Sequence, residues 1–368
     1  MKVVTVVGTR PEIIRLSRTM ALLDTTAEQT IINTGQNSSR ELNRIFFDEL
    51  GLRLPDYDLE CSVDTYGSFV AEALARIEPI LESVKPDAFL ILGDTNSSLT
   101  ALVAKKMQIP IYHLEAGNRA FDVNIPEEVN RRVIDHLADF NFPYSEAARG
   151  NLLAEGLAPR HVMLTGSPMP EIISHYSAKF DGSRVLERLN VKPQEYFVVS
   201  AHRAENVDSP ARLSALLANL ERLGESFGLP ILISTHPRTR DRMQKAGLDE
   251  SAGGLRFHEP FGFLDYIQLQ RNARCVLSDS GTVSEEAAVV RFPAVTIRGA
   301  MERPEALESG VLVMSDVTSP LEDAVSWAIA NWANGEVPPE YEVLNFSHRV
   351  VNAIHSTAAL HRSWSGLR

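Results

Sequence analysis

Short apolar runs alternate with segments of helical period along this chain, and midway the series begins again. Strands are expected at residues 3–7, 30–33, 88–92, 109–114, 140–143 and 162–164, with helical patterns at 12–23, 41–50, 69–84, 97–107 and 127–137 between them. The runs are continuous instead of strictly alternating, as strands buried on both faces by crossover helices must be. Such a record calls for a doubly wound α/β domain. Around 172–193 the pattern loosens into a helix, a turn at Asp181-Gly182-Ser183 and a short helix before Val191-Lys192-Pro193. New strands are then expected at 196–200, 230–234, 255–258, 275–278 and 294–297, with helices at 211–223, 263–272, 282–290 and 321–332. The expected domains are residues 1–170 and 171–346, with a helical tail of about 347–368 returning to the first.

With 368 residues and 44% hydrophobic content, the chain can fill two cores of roughly 150–200 residues each, and intrinsic disorder is excluded. Lys and Arg number 36 against 48 Asp and Glu, a formal charge of −12. That balance, with no basic stripe carrying interleaved aromatics, argues against nucleic acid as a partner. It leaves room for a small phosphate ligand, which needs only a few cations in one place. Cys61 and Cys275 stand far apart and form no CxxC, and the ten histidines show no HExxH spacing, so neither a disulfide framework nor a metal site is expected. Neither GxGxxG nor a Walker A sequence occurs, and no G-x-S-x-G elbow, so no NAD, ATP or other cofactor is indicated and no serine hydrolase. The opening Met1 to Gly8 reads as a first strand, and no run approaches the roughly 20 apolar residues of a spanning helix. The expectation is a cytoplasmic protein without membrane insertion.

Open parallel sheets bind ligands beyond the carboxyl ends of their strands, and residues able to do chemistry gather there. Gly8-Thr9-Arg10-Pro11-Glu12 follows the first strand. Pro11 suits a first helical turn, which sets Arg10 beside a helix N-terminus, either as an anion contact or as a surface ion-pair partner. Gly93-Asp94-Thr95-Asn96 ends another strand, with Asp94 either a helix cap or a working carboxylate. Glu115 precedes a glycine turn, where an acid is either paired or aimed at a ligand. In Pro126-Glu127-Glu128-Val129-Asn130-Arg131-Arg132, i,i+4 spacing pairs Glu127 with Arg131 and Glu128 with Arg132. The functional reading turns Glu127 inward and leaves Glu128 to solvent. Asp94, Glu115 and Glu127 would then form a carboxylate set whose members tune one another. In the second half His202-Arg203 and Ser234-Thr235-His236-Pro237 end strands. Ser278-Asp279-Ser280-Gly281-Thr282 leads into a helix, an anion seat of backbone N–H groups. Glu286 lies a turn and a half further on, suited to ribose hydroxyls, with Glu285 its less specific neighbour, and Arg298 and Glu302-Arg303-Pro304-Glu305 add charge nearby.

Taken in order, Gly8-Thr9-Arg10-Pro11-Glu12, Gly93-Asp94-Thr95, Glu115-Ala116-Gly117, Pro126-Glu127-Glu128 with Asn130-Arg131, Thr165-Gly166, His202-Arg203, Asp279-Ser280-Gly281 with Glu285-Glu286, and Glu302-Arg303-Pro304-Glu305 resemble the non-hydrolysing UDP-N-acetylglucosamine 2-epimerases. The resemblance is collinear through nearly the whole chain. It implies two Rossmann-like domains in a GT-B arrangement with the active site in the interdomain cleft, a homodimer, and inversion at C2 of a UDP-2-acetamido sugar without a cofactor. Carried over motif by motif, Asp94 and Glu127 would move protons at or near C2, and Glu115 would assist. Arg10 and His202 would contact the diphosphate or stabilise its departure, which places His202 with the catalytic residues; Ser280, Gly281 and Thr282 would seat phosphate, and Glu286 would hold ribose. Arg131 would orient the sugar or Glu127, with Arg15, Arg203, His236 and Arg298 as further substrate contacts.

The family's first motif commonly ends in Ala-Ile-Lys where this chain has Ile13-Ile14-Arg15, a change of geometry at constant charge. Asn33-Thr34-Gly35-Gln36-Asn37, Asn96-Ser97 after Gly93-Asp94-Thr95, Asn118-Arg119 after Glu115-Ala116-Gly117, and Ser278-Asp279-Ser280-Gly281-Thr282 are more similar to the UDP-N-acetyl-L-fucosamine synthases. Those enzymes epimerise UDP-2-acetamido-2,6-dideoxy-L-talose for capsule or O-antigen assembly. UDP-GlcNAc/UDP-ManNAc epimerisation is the alternative substrate reading. A GT-B glycosyltransferase and a non-catalytic UDP-sugar binder are the competing classes; the first gives no reason for three carboxylates in the first domain, and measured C2 inversion would eliminate the second.

Overall fold

The computed structural model describes residues 1–36, 40–248 and 254–367, so Asn37 of the subfamily motif lies outside the described residues. The chain divides into two compact units, Met1–Ser174 with Glu342–Arg368, and His175–Tyr341.

In the first unit β1 (Lys2–Val7), β2 (Glu28–Asn33), β3 (Tyr57–Asp58), β4 (Ala88–Leu92), β5 (Ile111–Leu114) and β6 (Phe140–Phe142) form one sheet in the order β3-β2-β1-β4-β5-β6. Every pairing is parallel. In the second, β7 (Phe197–Ser200), β8 (Ile231–Ser234), β9 (Leu255–His258), β10 (Cys275–Ser278), β11 (Ala294–Thr296) and β12 (Val313–Met314) repeat that order, read as β12-β11-β10-β7-β8-β9. Each is the strand order of a Rossmann sheet, whose direction of winding switches between β1 and β4 and again between β7 and β10. Loops leaving those strands splay apart at the carboxyl edge, so the switch points are where side chains from separated parts of the sequence meet.

The continuous apolar strands bury both faces. Val4, Val6, Phe89 and Ile91 pack with Phe69, Ala73, Ile77 and Leu81 of the helix Tyr66–Val84. Val199, Leu277 and Ile231 pack against Leu216, Leu220 and Leu223 of the helix Pro210–Phe227. The helix Phe346–Thr357 lies on the helix Arg10–Thr26. It is fixed there by Ser347, whose N–H donates to Glu171 (2.7 Å), and by the bond between Thr357 Oγ1 and the Tyr112 hydroxyl (2.9 Å). Cys61 and Cys275 are both buried, and desolvation pushes their thiols up to about 11 and about 12.

Several local expectations change. Residues 162–164 run beside β6, bonded at Met163 N–H to Asn141 O (2.9 Å), but make one isolated bridge and no strand. The helical stretch at 97–107 opens as a 3₁₀ turn, Asn96–Thr100, before Ala101–Lys106. That at 282–290 is one α turn, Val283–Glu286, continued as a π-helix, Ala287–Arg291. The tail breaks at Ala358–Leu360 into a 3₁₀ turn. Two-residue strands such as β3 and β12 leave no periodic trace to find.

Candidate active site

The carboxyl edge of the first sheet begins at Gly8. A Cβ there would lie 2.0 Å from Ser97 Oγ and 2.2 Å from Thr34 Oγ1, so only glycine lets these loops close. Pro11 occupies the first turn of the following helix, and Glu12 turns back under it, 1% exposed. One of its oxygens accepts from the N–H groups of Gly8 (2.8 Å) and Thr9 (2.6 Å) and the Thr9 hydroxyl; the other accepts from Thr95 Oγ1 (2.6 Å). Burial pushes the Glu12 carboxyl up to about 7 against those four donors. Arg10, beside it, spreads its guanidinium over the Phe46 ring (5.2 Å).

Asp94 leaves β4 half-buried, with one oxygen 2.7 Å from Arg131 Nε. It does not cap the next turn: Thr95 holds that position, and Asn130 Nδ2 donates to the Asp94 carbonyl (2.9 Å) and to Asn96 Oδ1 (3.1 Å). Glu115 leaves β5 in the left-handed backbone region (φ 63°) and pairs with Arg15, whose guanidinium lies over the Tyr144 ring (5.8 Å). Arg15, Arg131 and Arg298 are each at most 4% exposed and committed to carboxylates of their own unit.

The inward and outward assignments at the start of the helix Pro126–Leu137 are reversed. Glu128 is the buried member, bonded to the Ala120 N–H (3.0 Å), Arg131 (3.2 Å) and Arg132 (3.3 Å), while Glu127 is half-buried. The i,i+4 spacing cannot separate the two, because both pairs satisfy it equally. Packing of the 118–120 segment against the helix decides it. Glu128 is therefore structural, and Glu127 keeps the accessible carboxylate.

In the second unit the fully buried Asp279 is the organiser. It accepts from the backbone N–H of His202 (3.0 Å) and Arg203 (2.9 Å) and from Asn206 Nδ2 (3.2 Å). His202 thus stands 5.8 Å, ring to ring, from the exposed His236, which accepts from the Arg238 N–H. Beyond β10, the N–H of Ser280 is taken by Ser278 Oγ (3.0 Å), and Ser280 Oγ bonds Thr282 Oγ1 (3.0 Å). Gly281 lies against the Arg298–Glu302 pair (2.8 Å), which a Cβ would approach to 3.3 Å. Glu286 is buried and accepts from Gln270 Nε2 (2.6 Å). Glu285 is more than a neighbour: fully buried, it pairs with Arg303.

Sequence reasoning passed over Glu12, His113, Asp135, Gln270 and the Glu285–Arg303 pair. A signal existed for two of them. Thr9-x-x-Glu12 has capping-box spacing, and a histidine inside an apolar strand requires a buried partner. Among the described residues no group of three or more His, Cys, Asp or Glu is arranged to hold a metal ion, and no helix is long and apolar enough to cross a membrane.

The family described as UDP-N-acetylglucosamine 2-epimerase matches residues 21–354. The UDP-N-acetylglucosamine 2-epimerase of Methanocaldococcus jannaschii is 36% identical over 346 residues, 91% of this chain and 94% of the relative. A crystal structure of the UDP-GlcNAc 2-epimerase from that organism, in complex with UDP-GlcNAc and UDP, superposes with a TM-score of 0.91 at 34% identity, covering 97% of this chain and 100% of that one. The UDP-2,3-diacetamido-2,3-dideoxy-D-glucuronate 2-epimerase of Pseudomonas aeruginosa is 34% identical over 320 residues, 85% of this chain and 88% of the relative. With two Rossmann-like sheets and a match through most of its length, the chain belongs to the UDP-N-acetylglucosamine 2-epimerase family and is a non-hydrolysing UDP-sugar 2-epimerase.

Proposed function

We propose that this enzyme inverts C2 of UDP-2-acetamido-2,6-dideoxy-L-talose to give UDP-N-acetyl-L-fucosamine for surface polysaccharide synthesis. The C2 proton has no adjacent carbonyl, so its removal alone would leave a poorly stabilised carbanion. Coupling that removal to loss of UDP avoids the carbanion: the C2–H electron pair becomes the C1–C2 double bond as the C1–O bond breaks, giving UDP and a 2-acetamidoglycal. Return of a proton to the opposite face of C2, with a UDP oxygen re-attacking C1, yields the epimer.

The supporting observation is the pair of carboxylates at the ends of adjacent strands, each with its own buried arginine: Asp94 with Arg131 after β4, and Glu115 with Arg15 after β5. A paired arginine fixes a carboxylate's direction. Inversion needs proton carriers for both faces of C2, and Asp94 and Glu127 take those roles, with Glu115 tuning them. Arg131, bonded to Asp94, orients that residue. Arg10 and His202 serve the departing diphosphate. Ser280, Gly281 and Thr282 seat phosphate, Glu286 takes the ribose hydroxyls, and Arg203 and His236 complete the nucleotide contacts, while the buried Arg298, paired with Glu302, backs Gly281 instead of reaching the nucleotide. The enzyme is proposed to act as a cytoplasmic homodimer.

The fucosamine reading rests on the local motifs and on Arg15 standing where lysine is common in the family. The names of the M. jannaschii relatives favour UDP-GlcNAc/UDP-ManNAc epimerisation as the second reading. NMR in D₂O with both sugars supplied in parallel decides between them. Faster deuterium entry at C2 with inversion of the 6-deoxy-L-talo sugar is expected. A clear preference for UDP-GlcNAc moves the assignment to the second reading, and no exchange with either sugar, in enzyme that binds UDP, removes both.

A further inference from the structure

His113 lies in β5, 1% exposed, two residues before Glu115. Its Nε2 is 2.9 Å from the carbonyl oxygen of Gly93, the residue before Asp94. Its Nδ1 is 3.0 Å from Asp135 Oδ1 and 3.3 Å from Asn141 Oδ1. The Asn141 amide is oriented by its own bond, Nδ2 to the Asp135 carbonyl (2.9 Å), which turns Oδ1 toward the ring. Every atom facing the two ring nitrogens is thus an acceptor, and both nitrogens must carry hydrogen. A neutral imidazole has one N–H to give and would release one of these partners.

Asp135, fully buried on the helix Pro126–Leu137, also accepts the Gly117 N–H (3.2 Å), two residues past Glu115. Arg119 donates to Asp135 (2.7 Å) and is clasped by Glu155 through two bonds (2.8 and 2.6 Å). Two cations, His113 and Arg119, therefore meet two anions, Asp135 and Glu155, so the desolvated charges are compensated inside the cluster. Desolvation works against the His113 charge, and Asp135, the Gly93 carbonyl and Asn141 together more than offset it, leaving the ring's pKa above the ordinary histidine value.

We propose that His113 is a positioning residue that fixes Asp94 and Glu115 with respect to each other, holding the Gly93 carbonyl through one ring nitrogen and, through Asp135 on the other, the Gly117 amide. The inference rests on the epimerase reading in which Asp94 moves a proton at C2 and Glu115 tunes it. It gives a role to the buried ion network under the β4 and β5 loops, where Glu115 (φ 63°) and Gly117 (φ 84°) both take positive φ.

The test is a double-mutant cycle in the full-length enzyme, read by C2 deuterium incorporation, with UDP binding measured by calorimetry. His113→Gln is expected to lower kcat by about 30-fold, the scale of a small misplacement of reacting groups, with UDP affinity within about twofold of wild type. In an Asp94→Asn background the same change is expected to cost under about threefold, because the group it positions is already lost. Equal losses in both backgrounds would mean a purely structural histidine and overturn the proposal. Should His113→Gln fail to fold, nitrogen-15 NMR of histidine-labelled wild type decides: a slowly exchanging ring with both nitrogens protonated at pH 7.5 supports the proposal, and a bare nitrogen overturns it. Absence of C2 exchange in the wild type removes the epimerase reading and this inference with it, whereas wild-type exchange with additive losses removes the inference alone.

Discussion

Burial and hydrogen bonding pull the Glu12 carboxyl in opposite directions, and burial wins, setting it at about 7. An unfolded glutamate titrates near 4.5, so between these values the folded state holds a proton that the unfolded state has released. Stability contributed by this group is therefore full below about pH 4.5 and is lost as pH rises to about 7, by up to about 3 kcal/mol. Glu12→Gln carries no such titration. Urea unfolding at pH 5 and pH 8 should show the wild type losing about that much more than the variant; parallel pH profiles would refute the assignment. The neighbouring positions mark the limit of reading residues one by one. Glu127 and Glu128 stand in the same helical turn with the same charge and equivalent arginines four residues on. Only the Ala120 N–H waiting beside Glu128 tells them apart, and that is a tertiary fact.

At the scale of elements, the strand-to-helix rhythm was legible because buried parallel strands and crossover helices leave different periods in the sequence. The loops were legible as chemistry, with acids, arginines and glycines collecting after strands, but not as geometry. Gly117 shows the difference. Its φ of 84° suits glycine, and a Cβ would lie 2.2 Å from the Ala148 carbonyl oxygen. Gly117→Ala should destabilise the first unit by about 3 kcal/mol or more, through left-handed backbone cost and the clash together. It should also depress C2 exchange, since the Gly117 amide is what Asp135 grips. A variant with wild-type melting and turnover would contradict this. Hidden from sequence were β3 and β12, too short for a pattern, and the π turn at Ala287–Arg291, whose residues suit an ordinary helix equally well.

For the whole molecule, the formal charge of −12 describes the surface and little of the interior. Arg15 and Arg131 in the first unit and Arg298 and Arg303 in the second are all buried and all matched to carboxylates of their own unit, so these charges are compensated where they are desolvated. The recurrence of a single strand order in both units is likewise invisible to composition. It follows from the handedness of βαβ crossovers, which leaves a repeated rhythm few ways to close.

The placement of the two cysteines has a practical consequence. One thiol lies in each unit, Cys61 in the first and Cys275 on the central strand β10 of the second. Raised to about 11 and about 12, neither is a nucleophile at pH 8 while its surroundings stay closed. Alkylation followed by mass spectrometry along a urea series thus reads the opening of each unit separately, with no label introduced. Cys61, beyond the short edge strand β3, should be modified at lower urea than Cys275. Simultaneous modification would instead show that the two units unfold as one cooperative body.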